Sequence, residues 1–121
     1  MEKWGEAARA GFQAVPDLLL KNQKTLGINA VELVVLLNVL MHWWYRDQKP
    51  FPRPTTIAKR MGANVRTVQR AISALEAAGL IERTEGPNGE NVLDPDPLVR
   101  RLSGIAKNDF DYLIRTEGLV A

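Results

Sequence analysis

Residues 54–83, PTTIAKRMGANVRTVQRAISALEAAGLIER, constrain this chain more than any other stretch, because helix-forming and helix-stopping residues alternate there at short, regular spacing. Ile57, Ala58 and Met61 put apolar side chains on one face of a first short helix. Gly62 then breaks it, since glycine tolerates the left-handed backbone that a sharp turn requires. Asn64 stands where an N-cap belongs, with its side-chain oxygen available to the orphan amides of a second helix. In that helix, about 64–78, Val68, Ala71, Ile72 and Leu75 follow i, i+3, i+4, i+7 spacing and form one apolar stripe. Arg66, Thr67, Gln69, Arg70 and Ser73 lie on the opposite face. Gly79 closes the helix as a C′ glycine, and Leu80–Glu85 starts an apolar, β-competent run.

The flanks can be read in the same terms. An N-terminal arm, 1–15, forms a loose amphipathic helix through Trp4, Ala8 and Phe12, whose aromatics are expected to pack on the core. Pro16 to Lys24 reads as a short helix with proline in its first turn, ended by Gly27. Asn29 caps a largely buried helix from Ala30 to about Tyr45, closed by the bulk of Trp43, Trp44 and Tyr45. Gln48–Pro54 is an extended, proline-rich connector, with Phe51 expected to plug into the core. Asn88-Gly89, between two strand-like runs, predicts a hairpin. Asp96-Pro97 starts a further helix through Leu98, Leu102 and Ile105, and the pattern continues through Phe110, Leu113 and Ile114 after a break near Asn108.

Helix, turn, helix and hairpin in this order is the layout of a helix-turn-helix whose second helix lies in the major groove. Ala58, Gly62, Thr67-Val68, Leu75-Glu76 and Gly79-Leu80-Ile81 carry a resemblance to winged helix domains of bacterial regulators of the GntR and MarR type, and to those of phage and plasmid replication initiators. Asp94-x-x-Pro97-Leu98 after the hairpin is similar to a segment of plasmid-type initiators. The expected fold is mainly α with a small β-hairpin wing (α+β), a winged helix-turn-helix with extra N- and C-terminal helices. One domain is expected, with an arm at 1–28, a winged-helix core at 29–93 and C-terminal helices at 94–121.

The expected function is sequence-specific binding of double-stranded DNA, as a small bacterial transcription regulator. The alternatives are the DNA-binding module of a plasmid or phage replication initiator, or a winged helix used for protein–protein interaction. Asn64, Val65, Arg66, Thr67, Gln69, Arg70 and Ser73 would enter the groove, where arginine pairs with guanine and glutamine with adenine, while Thr67 and Asn64 would hydrogen-bond phosphates. Lys59 and Arg60 would add phosphate contacts. Thr55 or Thr56 would cap the first motif helix, whose amides make a phosphate seat. The resemblance implies a phosphate contact at Arg53. Arg83 is the one basic residue of a hairpin that Glu85 and Glu90 make acidic.

The net charge is only +2, but its distribution supports this reading. Residues 46–83 carry eight basic side chains against three acidic, whereas 84–121 carry four against seven. With no cysteine and a single histidine, His42, the chain has no metal-ligand cluster, phosphate-binding glycine loop or nucleophile motif, so no enzyme activity and no cofactor are expected. No ligand-sensing segment is evident. The longest apolar run, Val31–Met41, contains Glu32 and Asn38 and is too short to span a bilayer. A cytoplasmic protein is expected, with a homodimer contact through the C-terminal helices.

Overall fold

The computed structural model describes residues 2–117; Met1 and 118–121, the end of the expected C-terminal helical region, lie outside the described residues. The architecture is mainly helical with one small hairpin. Helices α1 (Asp17–Lys21), α2 (Gln23–Leu26) and α3 (Ala30–Met41) precede α4 (Pro54–Met61) and α5 (Val65–Ala77). Strands β1 (Glu82–Glu85) and β2 (Asn91–Asp94) follow, then α6 (Asp96–Ala106) and α7 (Phe110–Glu117).

Local chemistry accounts for most of the boundaries. Asn29 and Glu32 form a reciprocal capping box on α3, at 2.8 and 2.9 Å. Gly62 (φ 66°) ends α4 in the left-handed region, with Ala63 N–H donating to Ala58 O at 3.0 Å. Asn64 Oδ1 accepts from Thr67 N–H at 3.0 Å and starts α5. Gly79 ends α5 in a Schellman motif, in which Leu80 N–H donates to Leu75 O and Gly79 N–H to Glu76 O. In the hairpin, Glu82 pairs with Asp94 and Glu85 with Asn91. Its tip is a three-residue loop with Gly89 in the left-handed region, rather than a two-residue Asn-Gly turn.

One core unites these elements. Val35, Leu36 and Val39 of α3 meet Ile57 and Ala58 of α4 and Val68, Ala71, Ile72 and Leu75 of α5. Leu80, Ile81 and Leu93 close it beneath the hairpin, and Leu19, Leu98 and Leu102 where α1 meets α6. Arg101 of α6 ties helix ends together by donating to Ala78 O and Thr25 O.

Several expectations are corrected. Helix α3 stops at Met41, four residues early, because the amides of His42 and Trp43 turn back to Val39 and Leu40 in tighter turns. Trp44 (78% exposed) and Tyr45 therefore face outward instead of closing the core, and so do Val31 and Val34 of α3. The arm is a 3-10 run, Glu2–Ala10, broken at Gly5, and buries no residue; Trp4 and Phe12 remain about two-thirds exposed, 66% and 64%. The Pro16–Lys24 helix is two short helices, α1 and α2, meeting at Asn22. The first strand begins at Glu82, since the backbone of Gly79 and Leu80 is engaged in ending α5. Phe51 is 60% exposed while Pro50 and Pro52 are buried.

Candidate nucleic-acid interface

Helices α4 and α5, which pack against each other, carry most of the sequence-predicted residues. The apolar stripe of α5 is buried against α3 and α4, which leaves Arg66, Gln69, Arg70 and Ser73 exposed. Lys59 and Arg60 are exposed on the last turn of α4. Arg53, Lys59, Arg66 and Arg70 make no side-chain hydrogen bond or ion pair among the described residues.

Other predicted residues are placed differently. Arg53, not Thr55 or Thr56, is the N-cap of α4, because Pro54 takes the first helical position with its ring already fixing a helical φ. Both threonines fall inside the first turn, and no side chain caps this end. Asn64 and Thr67 are engaged with each other, since Asn64 Oδ1 also accepts from Thr67 Oγ1 at 3.2 Å. Val65 is half-buried and packs on the core. Arg60 turns back to the end of α3, where Nη1 lies 3.4 Å from Asn38 Oδ1 and 3.1 Å from His42 Nε2. An arginine can only donate, so His42 accepts through an unprotonated Nε2. Burial, and secondarily the Arg60 charge, hold the His42 pKa below its ordinary value.

Arg83 is engaged as well: Nη2 donates to Ser73 Oγ at 2.6 Å and Nε lies 3.3 Å from Glu76 Oε1. A cleft of about 180 Å³ lies beside this contact, where Pro52 and Pro54, Gln69 and Ile72 of α5, and Arg83, Asn91 and Leu93 of the hairpin converge. The sequence marks Glu76 only as part of the family resemblance; its pairing with Arg83 depends on a strand folded back on its helix. Lys49, one of the eight cations of residues 46–83, bonds Asp96 at 2.7 Å and lies 5.2 Å from the Trp43 ring centroid. The Lys49 bond holds the Asp96 carboxyl below the usual carboxylate range.

Among the described residues no polar or charged side chain is buried, and no group of three or more His, Cys, Asp or Glu could hold a metal ion. No described helix is long and apolar enough to cross a membrane. The surface thus offers cations and amides for recognition, in a mainly helical domain with a two-stranded hairpin.

Comparison with known proteins identifies the family. The model of the DnaD N-terminal domain matches residues 15–102, and the chain belongs to that family. It is 32% identical over 81 residues to the replicative helicase loading/DNA remodeling protein DnaD of Bacillus subtilis, a match covering 65% of this chain and 34% of that protein. The match therefore spans about a third of the relative's length. The crystal structure of the N-terminal domain of DnaD from Geobacillus kaustophilus superposes with a TM-score of 0.64 at 25% identity, covering 99% of this chain and 98% of that one. The expected kinship with GntR and MarR regulators is replaced by kinship with a replication domain.

Proposed function

We propose that this chain is a winged-helix module that binds double-stranded DNA for a bacterial replication protein of the DnaD type, serving helicase loading or DNA remodelling. Transcription regulation, the first reading of the sequence, gives way to the replication alternative because the matching family and relative are replication proteins. The observation that carries the reading is the outward face of α5 beside α4, where Arg66, Gln69, Arg70 and Lys59 are exposed and none of these cations has a side-chain partner among the described residues. Helix α5 acts as the recognition helix. Arg66 and Arg70, one turn apart, reach base edges or phosphates, while Lys59 and Arg53 supply backbone contacts. Asn64 and Thr67 aim the helix rather than touch DNA, and no cofactor takes part. Such a role belongs in the cytoplasm.

Self-association through the C-terminal helices is the second part of this reading, supported by the exposed Val99, Phe110 and Tyr112 of α6 and α7. A dimeric mass in solution is expected, and a monomer at all concentrations would remove this part alone.

The decisive experiment is fluorescence anisotropy with duplex DNA at several salt concentrations. Arg66→Ala and Arg70→Ala are each expected to weaken binding by ~1–3 kcal/mol without lowering the melting temperature, because both side chains are exposed. Unchanged affinity in the double variant would sink the assignment of α5.

A further inference from the structure

Arg83, the hairpin's one cation, stands beside α5 with two of its guanidinium nitrogens, Nε and Nη2, already engaged. Beyond its bonds to Ser73 and Glu76, its own backbone N–H donates to Glu76 Oε2 at 3.4 Å. Ser73 and Glu76 are three residues apart on α5, so they neighbour each other on the helix surface and the guanidinium lies across both. A guanidinium fork recognises carboxylate and phosphate through the same donor geometry. The Glu76 carboxylate therefore sits where a backbone phosphate would be held. The rest of the hairpin cannot substitute for Arg83, because Glu82 and Glu85 are exposed acids.

We propose that Glu76 is a built-in phosphate mimic: it latches Arg83 onto α5 and keeps the hairpin out of the DNA contact. Glu76 thereby sets both the affinity of the face and the number of phosphates it takes. This inference rests on the DNA-binding reading above. The arginine and glutamate side chains are each nearly half exposed, 45% and 44%, and an exposed ion pair of this kind contributes little stability. A phosphate can therefore displace the carboxylate. Val92 and Leu93 stay buried beneath the hairpin, so release frees the guanidinium without detaching the strand.

The test compares native chain, Glu76→Gln, Arg83→Ala and the double variant for affinity to one duplex across a salt series. Glu76→Gln is expected to bind about three- to tenfold tighter, with the slope of log K against log salt steeper by about 1. The double variant is expected to match Arg83→Ala, since no cation is left to release. Affinity unchanged in Glu76→Gln overturns the latch, and so does an equal gain with and without Arg83, which would assign the effect to lost negative charge alone. If Arg66→Ala and Arg70→Ala weaken binding while Glu76→Gln does nothing, the α5 assignment stands and only the latch falls. Absence of duplex binding by the native chain at low salt removes both.

Discussion

The same substitution, glycine to alanine, is expected to have opposite effects at two positions, and backbone conformation alone sets the sign. Gly62 lies at φ 66°, between α4 and α5, and nothing within 4 Å would meet an added Cβ. The penalty there is purely conformational, about 1–2 kcal/mol for an L-residue in the left-handed region. Rotating φ away would sacrifice the bonds from Gly62 N–H to Lys59 O and from Ala63 N–H to Ala58 O, so the strain has no easy exit. Gly104 lies inside α6, is not among the positive-φ glycines, and also has open space around an added Cβ. Alanine there removes unfolded-state freedom and should stabilise by ~0.5–1 kcal/mol. For a domain of this size that corresponds to melting temperatures separated by roughly 5–15 °C, Gly104→Ala above the native chain and Gly62→Ala below it. Thermal melts followed by circular dichroism read this directly. Shifts of the same sign would refute the reasoning, because steric room is equal at the two sites.

Asn64→Ala is expected to destabilise by ~1 kcal/mol in urea titrations, through loss of the cap that starts α5. His42 has a folded pKa below its usual 6.5, so its contribution to stability is complete above that pH and is lost as pH falls through the folded value. The urea midpoint should therefore drop between pH 7.5 and 5.5, and His42→Gln should reduce that drop.

Where a boundary is made by adjacent residues, the sequence was enough to find it. The Asn29 and Asn64 caps and the glycines at 27, 62 and 79 act within one helical turn, so their signals survive without knowledge of the fold, whereas the reciprocal bond from Glu32 emerges only in the structure. The side chains that were misjudged depend on direction instead. In an extended connector successive side chains point to opposite sides, so burying Pro50 and Pro52 turns Phe51 outward. Leu93 N–H donating to Pro50 O places this connector beside β2, a contact no local pattern announces. Trp44 and Tyr45 would pack on the core only if α3 continued to Tyr45; it ends at Met41, and both rings face outward. Exposed Trp44, with Phe12, Met41 and Val99, lines a groove of about 450 Å³. The arm, α1, α3, the residues just after it and α6 supply that groove; α4, α5 and the hairpin contribute nothing to it.

The same distinction decides what the charge pattern is worth. Residues 46–83 carry eight cations, and counting them suggests a face that neutralises many phosphates. The fold withdraws Lys49 into its pair with Asp96 and Arg83 into its pair with Glu76, and it turns Arg60 toward Asn38 and His42. Arg46 lies between α3 and α4, away from both motif helices in the chain. Four cations remain on α4, α5 and their start: Arg53, Lys59, Arg66 and Arg70. At ~0.9 released counterion per phosphate, four contacts give a slope of log K against log salt near −3.6, whereas all eight would give about −7. A measured slope between about −3 and −4.5 is expected for the native chain. A slope near −7 would mean that the hairpin and connector cations reach DNA after all, and that the contacts holding them in the free protein do not survive binding.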